Sequence, residues 1–167
     1  CDFYVDRLDD AFPCGPSGYA RAYGRPYCEY FLDLLPALSP LGQAWLSRTL
    51  PCLQNALLPF LQPLTAPRNC REIHDTAFAT HPTCYTQTGN SLCALDLPDL
   101  AIILSVLEKR DLLNRDGRRQ IAKVMRQCLH EARQPERART LLVLTLKHGL
   151  QNPAVKAVQI CQGLFGS

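Results

Sequence analysis

The chain has 167 residues, 47% of them hydrophobic and 20% charged, which is enough apolar material for one packed core and too much for a disordered chain. A formal charge of +3 is too small to point to nucleic acid without a clustered basic surface. No stretch approaches the roughly eighteen apolar residues of a membrane span, and the densest run, Leu141 to Leu146, is far too short.

The nine cysteines (Cys1, Cys14, Cys28, Cys52, Cys70, Cys84, Cys93, Cys128 and Cys161) narrow the class further. They are scattered rather than grouped at the C-x-x-C or Cys/His spacings that zinc requires, so the pattern favours disulfides over metal. Stable disulfides need an oxidising compartment, which predicts a secreted, extracellular protein. An odd count leaves one sulfur over, and a leftover thiol in a secreted chain is expected to pair between molecules. The sequence opens on a cysteine without Met or an apolar leader, which predicts that a signal peptide has been removed or lies outside it.

In chain order, residues 1–27 are rich in Gly, Pro, Tyr and Asp without a sustained period of 3.6, and read as an irregular segment anchored by Cys1 and Cys14. Cys28, Phe31, Leu32, Leu35 and Leu38 then follow helical spacing, with Pro36 kinking or ending that helix. Ser39-Pro40 has the form of an N-cap with proline in the first turn, opening a helix through Trp45, Leu46, Thr49 and Leu50 that Pro51 is expected to break. Prolines 59, 63 and 67 predict a loop. A helix is predicted over Asn69 to Ala79 with Ile73 and Ala77 inward, ending before Pro82, and a loop over Thr86 to Ser91.

Asp96 caps the clearest helix, whose apolar stripe is Leu100, Ile103, Leu104 and Leu107. Arg118 to Ala132 is amphipathic: Ile121, Val124, Met125, Cys128 and Leu129 fall on one side and Arg115, Arg119, Lys123 and Arg126 on the other. Glu136 to His148, apolar all round and closed by Gly149, predicts a buried helix. Asn152-Pro153 opens a last helix with Val155, Val158, Cys161 and Leu164. There is no strand alternation and no repeat, so the fold class is all-α: one disulfide-stapled helical domain over 1–167.

Three features of the cysteine frame carry a family resemblance. Cys28 and Cys52 enclose twenty-three residues that contain Phe31-Leu32 and Gly42-Gln43-Ala44-Trp45, and Cys52-Leu53-Gln54-Asn55-Ala56 follows. Cys70 and Cys84 enclose thirteen, with Tyr85 next and Cys93 shortly after. Cys128 and Cys161 close the frame. Over about residues 28–161 this resembles stanniocalcin, a family of secreted glycoprotein hormones. The resemblance implies the bridges Cys1–Cys28, Cys14–Cys70, Cys52–Cys84 and Cys93–Cys128, with Cys161 joining two copies through the segment 153–167. It also implies a hormone-like regulator of calcium and phosphate handling, an inhibitor of pappalysin metalloproteases, or both, whose extracellular partner is a receptor or a metalloprotease. The chain departs from the family in having two fewer N-terminal cysteines, no N-x-S/T sequon and no long charged C-terminal tail.

Sites of chemistry are few. Cys70-Arg71-Glu72-Ile73-His74-Asp75 resembles the His-Asp pair of secreted calcium-dependent phospholipases, but Cys14-Gly15-Pro16-Ser17-Gly18, the only candidate calcium loop, lies far upstream, and the doubled cysteine beside such a His is missing. Asn114, Asp116 and Gly117 resemble the middle of a calcium loop whose first and twelfth positions would be Leu112 and Lys123, which cannot bind; a polar turn with Gly117 at positive φ is the simpler reading. The histidines His74, His81, His130 and His148 have no zinc spacing. No cofactor or metal is expected, and the chain reads as a ligand rather than an enzyme. Arg115, Arg119, Lys123 and Arg126, with Arg118 beside them, are the candidate partner-binding surface, suited to a sulfated glycan or an acidic partner. A saposin-like lipid carrier is the remaining helical, disulfide-rich alternative, with a different cysteine spacing.

Overall fold

Three side-chain caps open three of the helices at the residues that the sequence marks. A computed structural model describes residues 1–106, 115–131 and 143. Helix α1 spans Arg25–Leu34 and passes into a 3-10 turn, Leu35–Ala37, at Pro36. Helix α2 spans Pro40–Asn55; Ser39 stays extended before it, and its hydroxyl accepts from the Gly42 N–H at 3.2 Å. Helix α3 spans Cys70–Tyr85, capped by Asn69, whose side-chain oxygen accepts from Glu72 N–H at 3.1 Å. Helix α4 spans Leu97–Ser105, capped by Asp96 accepting from Asp99 N–H at 2.9 Å. Helix α5 spans Arg115–Glu131. The described part is all-α and held by disulfides.

Four expectations need correction. The N-terminal segment is not irregular throughout: Phe3–Asp9 and Ala20–Gly24 are π-helical, and only about 12–18 lacks helix. Pro51 and Pro82 do not stop their helices but lie inside α2 and α3. Both sit beside one staple, since Cys52 bonds Cys84 at a Cα separation of 5.7 Å. A proline inside a helix costs about 3 kcal/mol through its missing N–H and steric clash. Here the disulfide joins the two helices beside their prolines, and Trp45 in the first half of α2 packs against Tyr85 at the end of α3. Gly117 is buried and helical instead of forming a turn, and the only glycines at positive φ among the described residues are Gly15 and Gly89. Gly89, at φ 74°, makes the turn between β1 (Thr86–Gln87) and β2 (Asn90–Ser91), a two-strand antiparallel ribbon where a loop is expected.

One contiguous core runs through these elements. Tyr4 and Leu8 from the first π-helix, Phe31 of α1, Trp45, Leu46 and Leu50 of α2, Ile73 and Ala77 of α3, Leu100 and Ile103 of α4, and Val124 and Met125 of α5 form a single buried cluster. On α5 the inward side is Val124, Met125 and Cys128, with Ile121 partly buried and Leu129 exposed. Val143, alone described from the predicted 136–148 helix, is helical but 56% exposed rather than buried. The rest of that helix and the predicted helix from Pro153 lie outside the described residues.

The structure forms Cys1–Cys28, Cys14–Cys70, Cys52–Cys84 and Cys93–Cys128, the same four pairs that the resemblance implies. They fasten the N-terminal π-helix to α1, the irregular connection to the start of α3, α2 to α3, and the 3-10 turn Leu92–Ala94 to α5. Cys161 lies outside the described residues.

Candidate binding surface

Helix α5 is amphipathic because its cations and its apolar residues recur at different helical phases. At 100° per residue Arg115, Arg119, Lys123 and Arg126 fall within about 80° of one another, opposite the stripe that buries Val124 and Cys128. The structure exposes all four, and Arg118 with them. Among the described residues none of these five forms an ion pair. Nearby Glu131 is occupied, accepting from Ser91 Oγ at 2.7 Å and from Gln127 Nε2 at 2.8 Å.

The C-terminal half of this face borders an open groove between α3 and α5, of ≈ 350 Å³, lined by Pro82, Thr83, Thr86, Lys123, Arg126 and Gln127. Thr86 donates its hydroxyl to the Pro82 carbonyl at 2.8 Å and so presents only lone pairs, whereas Thr83 is exposed. Sequence reasoning placed the cations on one face but did not pair them with Thr83, which lies forty residues before Lys123 and meets it only when α3 packs on α5.

Beneath the surface lies a polar thread that the sequence does not announce. The Tyr19 hydroxyl lies 3.0 Å from His81 Nε2, and His81 Nδ1 lies 3.0 Å from the Gln120 side-chain oxygen, linking the second π-helix, α3 and α5. The Gln120 oxygen requires a proton on Nδ1, which leaves Nε2 to accept from tyrosine. Burial raises the Tyr19 pKa well above 10, so that hydroxyl keeps its proton. Burial likewise lowers His81 to about 4, outweighing the opposing pull of its bond to Gln120. Unfolded, the imidazole binds a proton near its ordinary 6.5, so between about pH 6.5 and 4 the unfolded chain holds more protons and stability falls as pH falls. A His81→Gln variant should show a flatter dependence of the urea midpoint over that window than the parent; parallel profiles would mean that His81 is protonated in the fold.

Tyr19, Tyr23, Tyr27, Phe78 and His81 also wall a partly open apolar cavity of ≈ 70 Å³. That is small beside the several hundred Å³ typical of ligand pockets.

His74 and Asp75 lie near the surface, His74 Nδ1 standing 3.2 Å from Asp75 Oδ1 with the ring stacked on Phe78 at 4.5 Å. No group of three or more His, Cys, Asp or Glu that could hold a metal occurs among the described residues. No helix among them is long and apolar enough to cross a membrane. Comparison with protein-family models, with curated proteins and with solved structures finds no match to this chain.

Proposed function

We propose that the protein is a secreted, non-catalytic regulatory ligand of the stanniocalcin type, working as a disulfide-linked homodimer that engages an extracellular receptor or inhibits a pappalysin-like metalloprotease. The observation that carries this reading is the set of four bridges, which uses eight of nine cysteines and leaves Cys161 as the one sulfur outside them. Four staples around one core give a rigid surface suited to recognition, and four disulfides fit an oxidising compartment.

Closing a Cys161 bridge between copies brings two Cα atoms within about 7 Å, most simply about a twofold axis with Val155, Val158 and Leu164 lining the contact. On a non-reducing gel the parent should therefore run at twice its reduced 18.7 kDa. Cys161→Ser should run as a folded monomer. Incubation with a pappalysin should give a stable complex and loss of proteolysis. A parent that is monomeric without reductant, or that leaves the protease untouched at micromolar concentration, would sink the respective half of the reading.

A calcium-dependent hydrolase is the weaker alternative, resting on the His74–Asp75 contact alone. Phospholipid vesicles incubated with the protein and calcium should yield no fatty acid above background. Calcium-dependent release lost in both His74→Ala and Asp75→Ala would reverse this assignment.

A further inference from the structure

We infer that the exposed face of α5, together with the groove it shares with α3, is a binding site for sulfated glycosaminoglycan, with Thr83, Lys123 and Arg126 forming a sulfate subsite. The choice of ligand rests on the secreted reading above, because sulfated glycans are the linear polyanions a secreted protein meets.

The geometry favours a linear polyanion over a compact one. Arg115, Arg119, Lys123 and Arg126 recur every three or four residues, and at 1.5 Å rise per residue they form a cationic rail about 16 Å long. A single phosphate reaches one or two of these side chains; a chain with an anion on successive sugars can meet all of them. The rail has one acidic interruption, Asp116, at its N-terminal end. Guanidinium groups offer paired donors to sulfate as to phosphate, and Lys123 contributes a point charge. Beside Lys123 and Arg126 the groove adds the Thr83 hydroxyl, for which no bond is found among the described residues, as a neutral donor. A rail of charge alone would accept any polyanion; a groove with a hydroxyl donor gives one anion a defined seat.

The test uses the intact, disulfide-bonded chain and heparin as probe. The parent should be retained on immobilised heparin at about 0.15 M salt, and the logarithm of its affinity should fall linearly with that of salt concentration, as counterion release requires. Replacing Arg115, Arg119, Lys123 and Arg126 together with alanine should weaken binding at least tenfold and lower the salt slope by roughly one per cation. These side chains are exposed, so the helical spectrum and melting temperature should stay unchanged. Thr83→Val should cost several-fold in affinity and leave the slope as it was, the signature of a neutral contact. Unaltered retention of the quadruple variant overturns the site. Equal binding to fully desulfated heparin overturns the sulfate assignment, and tighter binding to polyglutamate reassigns the face to an acidic protein. Because the assay needs neither dimer nor protease, its failure is distinct from failure of the hormone reading.

Discussion

Replacing Cys14 and Cys70 together with serine should lower the stability of the chain by about 4 kcal/mol, measured by urea unfolding. The bridge spans 56 residues, the longest of the four separations. Cross-linking acts mainly by removing freedom from the unfolded chain, so the longest closed loop contributes most. The other staples hardly shorten this path, because Cys70 lies roughly midway between Cys52 and Cys84 and hopping across that bond saves only a few residues.

The native contacts around Cys14 should survive the substitution. Asp9, 5% exposed, accepts from the Cys14 N–H at 3.0 Å and pairs with Arg21, so local bonds pin the connection between the π-helices. The variant should accordingly keep its helical spectrum at low denaturant and show a larger m-value, since its unfolded state exposes more surface. Removal of Cys1–Cys28, whose separation is 27, should cost about 0.6 kcal/mol less by the same logarithmic rule. A loss below about 1 kcal/mol for the Cys14, Cys70 pair would mean that the unfolded chain is already compact around this loop.

How much of this was legible beforehand follows from the range of the interactions involved. Ser39 and Asp96 were readable as caps, and Asn69 as the residue at which a helix begins, because each bonds an N–H three residues on, within its own stretch of sequence. Helix ends at Pro51 and Pro82 were misplaced because the packing of the two helices on each other, joined at Cys52–Cys84, is invisible to a local reading that ends a helix at proline. The π-helices escaped because i→i+5 bonding has a longer period than 3.6. Their trace was present all the same: Tyr19, Tyr23 and Tyr27 recur every four residues, and each ring stacks on the next at 6.3 Å. The basic face of α5 could be read because helical periodicity alone defines it. The Tyr19, His81 and Gln120 thread, with steps of 62 and 39 residues, could not.

The Gly42-Gln43-Ala44-Trp45 step acquires its physical reason only in the structure, at Asp99. This carboxylate is 1% exposed and accepts from the Ser39 N–H at 2.8 Å and the Ser39 hydroxyl at 2.5 Å, tying the start of α2 to the first turn of α4 across 60 residues. A Cβ on Gly42 would stand 2.5 Å from Asp99 Oδ2 and 2.7 Å from its Cγ. On an open helix face Gly→Ala stabilises by about 1 kcal/mol. Here the methyl must displace a buried, bonded carboxylate, so Gly42→Ala should instead destabilise by about 2–3 kcal/mol. Asp99→Ala should cost about 3–5 kcal/mol, because two charge-assisted bonds from the half-buried Ser39 are lost together with the tie between α2 and α4. The two effects should not add. Once Asp99 is alanine the space beside Gly42 is open, and adding Gly42→Ala should cost nothing or recover up to about 1 kcal/mol. Denaturant unfolding of the parent, both single variants and the double variant measures this coupling directly. Equal costs for Gly42→Ala in the two backgrounds would show that the glycine answers to some other neighbour, and that the Asp99 carboxylate does not set how closely α2 and α4 approach.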